Sequence, residues 1–322
     1  MTQKNNITVT LTPELRLEQA LSQAGIDDVA SVEKLTVTGG INRDDFLYIR
    51  EKMGKTLQKI DLDSATIISV KKESNKTFGF GKVTLANVKE FFTFMEYDFS
   101  GAFERCIGLK SAILPRSLEI INSSAFKGCT GLTSVVIPDS VTKIGMHAFK
   151  DCVGLKSVII PDSVTEIGYG AFEGCIGLTS VNIPKSLVKI EHGAFPCKMN
   201  ANCQNPVYAT ENGVLFNSEK TELIDYPAGL FGDYVIPCSV KTIGSSAFSH
   251  CYGLTSVIIP DSVTKICDRA FSGCLNLKSV IIPASATDVY YSAFDDCKAC
   301  ITVHPDNPAY EKGINGKLKR KR

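Results

Sequence analysis

The pair Ala-Phe recurs along this chain with its Phe at 103, 126, 149, 172 and 195, a spacing of 23 residues, and again at 248, 271 and 294. A cysteine follows most of these three residues later, at Cys106, Cys129, Cys152, Cys175, Cys251, Cys274 and Cys297. A proline marks the same point of most units, at Pro115, Pro138, Pro161, Pro184, Pro237, Pro260 and Pro283. A fixed period in this range means stacked supersecondary units, none of which can bury its apolar face alone. The chain therefore reads as a repeat solenoid that offers an extended surface rather than a closed catalytic pocket.

The unit from Cys152 to Gly174, CVGLKSVIIPDSVTEIGYGAFEG, shows how each coil is built. Leu155, Val158 and Ile160 have the L-x-x-V-x-I spacing that points three side chains inward from a short strand. Pro161-Asp162-Ser163 turns the chain, Pro by fixing φ, Asp and Ser by bonding nearby amides. Val164 and Ile167 return inward on a second extended segment, and Ala171-Phe172 packs the end of the coil. Strands of successive coils are expected to pair in parallel.

Twelve cysteines suggest a disulfide framework, but seven occupy one repeat position. Side chains stacked along an interior ladder point the same way, whereas a bridge needs converging Cβ vectors. The ladder thus reads as reduced, buried thiols. Among the others, Cys197 with Cys203 is the best placed for a disulfide.

Residues 1–98 lack the period. Leu15, Leu17, Leu21 and Ala24 have helical spacing and stop at Gly25; residues 32–37 alternate as a strand. Asn42 is an N-cap for a helix through about Met53, and LQKIDL (57–62) is another strand. This is an N-terminal α/β cap with irregular coils, which a solenoid needs because its first coil exposes core and a strand edge. Phe91, Phe92, Phe94, Tyr97 and Phe99 fill the joint between cap and repeats. The repeats occupy 99–303, with an inserted hairpin at about 205–232, where residues 214–217 and 222–226 flank a polar turn at 218–221. It is expected to project from one side. Residues 304–322 close the last coil and end in a basic, solvated tail.

Searching for chemistry returns little. No P-loop, G-x-S-x-G or H-E-x-x-H is present. His147 and His192 occupy similar repeat positions two coils apart, too far to share a metal, and Cys297-x-x-Cys300 has no partner pair. Paired aspartates such as Asp44-Asp45 sit in turns or at helix starts and read as capping or solvated groups rather than an acid–base pair. The reading is of no enzyme, no cofactor and no metal. A net charge of +1 offers no argument for nucleic acid, and no apolar run approaches the roughly 18–20 residues of a membrane span.

The strand face carries the information that remains. Outward positions form an aliphatic stripe, Ile113, Val136, Ile159, Asn182, Ile258 and Ile281, beside a serine stripe, Ser111, Ser134, Ser157, Ser180, Ser256 and Ser279. Asn182 interrupts the first stripe next to the insert. β-Branched residues favour strands wherever they sit, but a contiguous exposed apolar stripe often marks an interaction site.

Units such as IPDSVTKIGMHAFKDCVGLKSV, repeated over roughly 99–303, resemble the BspA-type leucine-rich repeats, and ENGVLFNSEKTELIDYPAG (211–229) resembles a hairpin inserted in many members. The resemblance implies a leucine-rich-repeat solenoid: a right-handed coil with a parallel β-sheet face, mostly β, with short helices in the N-terminal cap. It also implies a secreted or cell-surface bacterial protein, an adhesin-like module binding a host matrix protein or surface glycoprotein. The opening MTQKNNITVTLTPEL lacks a secretory pattern, so a cytoplasmic location is the alternative. Two further readings stand beside the binding module: a self-associating scaffold, and an enzyme whose site involves Asp225 and Tyr226 of the insert.

Overall fold

Stacking begins in the cap. The structure, a computed structural model, describes residues 6–68, 99–201, 204–312 and 318–321; Phe91, Phe92, Phe94, Tyr97 and Cys203 lie outside them. Strands Asn6–Leu11, Lys34–Ile41, Lys59–Asp61, Ser111–Ile113 and Ser134–Val136 form one sheet in that order, all parallel. Lys59–Asp61 pairs with Ser111–Ile113 in the register Lys59 to Ser111 and Ile60 to Ala112, so cap and repeats share a ladder.

The first helix is shorter than the spacing predicts, and the second reaches Met53 as expected but changes character on the way. The first runs Leu17–Gln23; the second is α-helical over Arg43–Tyr48 and continues as a π-helix over Ile49–Met53. Asn42 caps it as expected, accepting hydrogen bonds from the Asp44 and Asp45 N–H groups at 2.9 and 3.1 Å. Buried Asp45 returns a bond to the Asn42 N–H (3.0 Å), accepts one from Leu17 N–H (2.9 Å) and pairs with Arg16 (2.9 Å), so one carboxylate joins both helix starts. Phe99 meets Phe46 and Phe103 edge-on at 5.3 and 5.9 Å.

Each later coil repeats three contacts. Phe rings stack at 5.0–5.1 Å through Phe103, Phe126, Phe149, Phe172 and Phe195, and at 4.8–5.2 Å through Phe248, Phe271 and Phe294. The ladder thiols donate to the carbonyl of the preceding coil's Phe: Cys129 to Phe103 (2.9 Å), Cys152 to Phe126 (3.1 Å), Cys175 to Phe149 (3.0 Å) and Cys274 to Phe248 (2.9 Å). A reduced thiol therefore serves as a compact donor in a buried column. The turn serines act between coils rather than within one. Ser140, Ser163 and Ser186 donate to the carbonyls of Leu118, Val141 and Val164 at 2.7–2.9 Å.

The second extended segments form the regular ladder: Ile120–Ile121, Lys143–Ile144, Glu166–Ile167 and Lys189–Ile190, paired in parallel. On the main strand face pairing is interrupted. Residues 157–160 form no strand bonds, and beyond them Ser180–Ile183 pairs with Lys198–Ala201, so residue 198 still belongs to a coil.

The insert departs from the two-stranded projection expected of it. Tyr208–Glu211, Val214–Asn217 and Glu222–Asp225 make a three-stranded antiparallel meander whose third strand pairs in parallel with Thr242–Ile243 and so rejoins the regular ladder. Val214, Leu215 and Phe216 are all buried, with Leu215 in the core of the first repeat block and its two neighbours in that of the second. Alternation along a strand places those side chains on opposite faces; the middle strand is a wall shared by two cores.

Asn205 anchors the meander. Its buried amide donates to the Pro184 and Leu187 carbonyls (2.8 and 3.0 Å) and accepts from Val207 and Tyr208 N–H (2.9 and 2.8 Å); the Tyr208 hydroxyl accepts from Ile190 N–H (2.9 Å). The same lock closes the last coil. Asn307 donates to Pro283 and Ala286, and the Tyr310 hydroxyl accepts from Val289 N–H at 3.0 Å. The basic end, expected to be a solvated tail, instead folds back in part: Leu318–Arg320 pairs antiparallel with Tyr310–Lys312.

Candidate functional site

The strand face is set by register. Ser111 stands beside Ser134 and Ile113 beside Val136; Asn182 stands beside Asn200; Ser256 and Ile258 stand beside Asp233 and Val235; Ser279 and Ile281 stand beside Cys300 and Thr302. Alternation then sends the intervening residues, such as Ala112, Val181, Val257 and Val280, into the core.

The aliphatic positions are open to solvent: Val136, Ile258 and Ile281 are 57–58% exposed and Ile159 is 83% exposed. Val235, contributed by the coil after the insert, extends the stripe at 62%. Ser134, Ser157, Ser180, Ser279 and Asn182 are exposed, while Ser111, Ile113 and Ser256 are half-buried. The stripe is not one unbroken sheet. Between Ile159 and Asn182, where strand bonds are missing, lies an open groove lined by Val158, Ile159, Asp162, Asn182, Asn200 and Ala201 among others. Aliphatic side chains and two amides in register, Asn182 and Asn200, border it.

Sequence reasoning missed Asn200, since Pro196-Cys197-Lys198 hides the coil's usual spacing. It also missed the Asn-Pro-x-Tyr tetrapeptides at 205–208 and 307–310, which were visible as a recurrence. Asn212-Gly213 was a further signal: with φ of 53° and 86° it makes the two-residue turn of the first hairpin.

Among the described residues the Ser249 hydroxyl lies 2.8 Å from His250 Nδ1, a contact between chain neighbours at an exposed coil corner. His147 and His192 are separated by Tyr169, whose ring lies 5.3 and 6.1 Å from theirs. Among the described residues no three His, Cys, Asp or Glu side chains are grouped to hold a metal ion, and no helix is long and apolar enough to cross a membrane. Cys197 is buried with a free thiol; Cys238 and Cys300 are exposed.

Parallel ladders, a stacked Phe column and an open strand face define a leucine-rich-repeat solenoid. The chain belongs to the BspA type leucine rich repeat region family, whose model matches residues 99–222 and 230–310 in six copies. A leucine-rich repeat protein from Eubacterium ventriosum ATCC 27560 shares the fold, with a TM-score of 0.52 at 21% identity over 84% of this chain and 68% of that one. A leucine rich cell surface protein from Faecalibacterium prausnitzii A2-165 aligns at 0.42 and 19%, over 86% and 74%. The pneumococcal vaccine antigen PcpA aligns at 0.44 and 16%, over 87% and 71%. No curated protein matches the chain. Leucine-rich repeats of this kind are typically protein-binding modules and generally non-enzymatic scaffolds.

Proposed function

We propose that this protein is a non-enzymatic, adhesin-like binding module, secreted or held at the cell surface, that grips a partner protein or glycoprotein with its strand face. The observation that supports it is the outward aliphatic column from Val136 to Ile281, with Ile159 83% exposed beside a groove bordered by two amides. Strand propensity accounts for β-branched residues, but a solvated column of them carries a free-energy cost that binding relieves. Serines beside the column supply hydrogen bonds without bulk, which suits distributed contact over a broad surface.

The test is binding of the purified chain to a panel of matrix proteins and surface glycoproteins, with an Ile159→Glu/Ile281→Glu variant of unchanged melting temperature alongside. Binding to one member that the variant loses supports the reading. Binding that survives the variant places the site elsewhere.

A second reading, self-association, draws on the strand Asn6–Leu11, which among the described residues pairs with Lys34–Ile41 and stands at the edge of its sheet; open edges template further strands. Light scattering over a concentration series separates the two readings, because only self-association makes the mass rise.

A further inference from the structure

Through the first repeat block one corner bond recurs. The residue two before Phe126, Phe149, Phe172 and Phe248 has a left-handed backbone and gives its N–H to the coil ahead: Ser124 to the Met146 carbonyl (3.0 Å), His147 to Tyr169 (2.9 Å), Gly170 to His192 (3.4 Å) and, past the insert, Ser246 to Asp268 (2.9 Å). Gly193, with φ +64°, reaches instead a side chain, the Asp225 carboxyl Oδ1 at 3.4 Å. Asp225-Tyr226 stands where other coils have Ala-Phe: Tyr226 N–H bonds Ala247 O (2.7 Å), and its ring stacks on Phe248 at 5.0 Å.

The seam between Phe195 and Tyr226 opens as a small cleft. Aromatic rings of Tyr169, Phe195 and Tyr226 line it, together with His192 and His250, and its carboxyls are Asp225 and Glu173. No Lys or Arg lines it, although the chain as a whole has 35 basic and 34 acidic residues. Asp225 is only 3% exposed, and its Oδ2 has no hydrogen-bond partner among the described residues. A buried oxygen left unpaired calls for a donor.

We propose that this seam cleft is a binding site for an organic cation, an alkylammonium group whose N–H donors meet Asp225 Oδ2 and whose charge lies against the aromatic faces. An anion is disfavoured by the acidic lining. A metal ion is disfavoured because no three ligating side chains are grouped there, while rings beside a carboxylate suit an ammonium. The site is separate from the strand face and does not depend on it.

Burial pushes the Asp225 carboxyl up to about 7, with the Gly193 N–H pulling weakly the other way. Cation binding requires the ionised form, so affinity rises with pH through neutrality. The other titratable groups at the seam include His192, held low by burial, His250, hydrogen-bonded to Ser249, Tyr169, Tyr226, pushed up to about 12 by burial, and Cys251, pushed up by burial. Glu173 is paired with Lys150, Glu191 with Lys189, and Asp268 lies beyond Ser246.

Isothermal titration calorimetry of the full chain tests the proposal, with n-butylammonium, neutral 1-butanol and N-acetyl-lysine-N-methylamide as probes at pH 6 and pH 8. The ammonium is expected to bind at pH 8 and about tenfold more weakly at pH 6, as an acid of pKa near 7 loses its proton over that range. Asp225→Asn abolishes both the binding and its pH dependence. Gly193→Asn, at a glycine that lines the cleft, adds a side chain with no atom within 4 Å on a left-handed backbone that Asn tolerates, and is expected to weaken binding with the carboxyl intact. Binding of the lysine derivative as tightly as butylammonium supports a partner's lysine as the natural source, and butylammonium alone a free amine. Three results overturn the proposal: no ammonium binding by the folded chain at pH 8, equal binding of 1-butanol, or binding untouched by both variants.

Discussion

At the scale of single residues, the 23-residue unit is a set of side chains that each contact their own copy in the next coil. Phe172 lies 5.0 Å from both Phe149 and Phe195 in near-parallel stacks. Phe172→Ala is expected to cost about 3–5 kcal/mol, read by denaturant unfolding; an unchanged midpoint would refute the ladder. The cysteines behave similarly. Burial pushes the thiols of Cys106 and Cys274 up to about 12. The native state therefore keeps protons that the unfolded chain releases, and their stabilisation, complete below the unfolded pKa, is lost as pH rises from about 9 to 12. Each such thiol contributes a slope of up to about 1.4 kcal/mol per pH unit. Melting temperature should fall steeply above pH 9, and Cys274→Ser, which retains a donor to Phe248 O at 2.9 Å in the parent, should make the fall shallower.

At the scale of elements, the repeat tolerates an insert because Asn205 rebuilds the contacts that the missing coil would make. Four hydrogen bonds converge on that buried amide, two to Pro184 and Leu187 and two from Val207 and Tyr208. Asn205→Ala is expected to cost about 2–4 kcal/mol, at roughly 1 kcal/mol for each net bond. Hydrogen exchange should quicken first in residues 184–190 and 207–210; uniform acceleration across the chain would contradict a local lock. The strand face shows the opposite case. Alternation correctly named Ile159 and Ile281 as outward, yet no periodicity reports that residues 157–160 lack strand bonds, because pairing depends on the spacing between coils.

At the scale of the whole molecule, the insert divides the core into two blocks, one from the cap through Met199 together with Tyr208 and Leu215 of the insert, and one from Val214 to the last coil. In stacked repeats stability is a sum of unit and nearest-neighbour terms, so the weakest interface sets where cooperativity breaks. That interface is the seam, where Phe stacking gives way and a side-chain carboxyl replaces a corner carbonyl. Phe271→Ala is therefore expected to lower protection in residues 236–294 by about 3–5 kcal/mol while leaving residues 103–172 unchanged. A single transition lowered for both blocks would show that the seam transmits as strongly as any coil.

The sequence by itself determined the solenoid, the identity of the inward column and the outward stripe, and the cap at Asn42. Each of these follows from spacing along one chain, where a period of 23 and alternation in a strand leave few choices. The tertiary structure alone decided which coils pair, that the insert is a shared wall rather than a projection, that Asn200 faces Asn182, and that Asp225 is buried in an acidic cleft. Those features depend on which residues meet across coils once the period is broken between Phe195 and Phe248, and no one-dimensional pattern carries the distance between segments that an insertion has displaced.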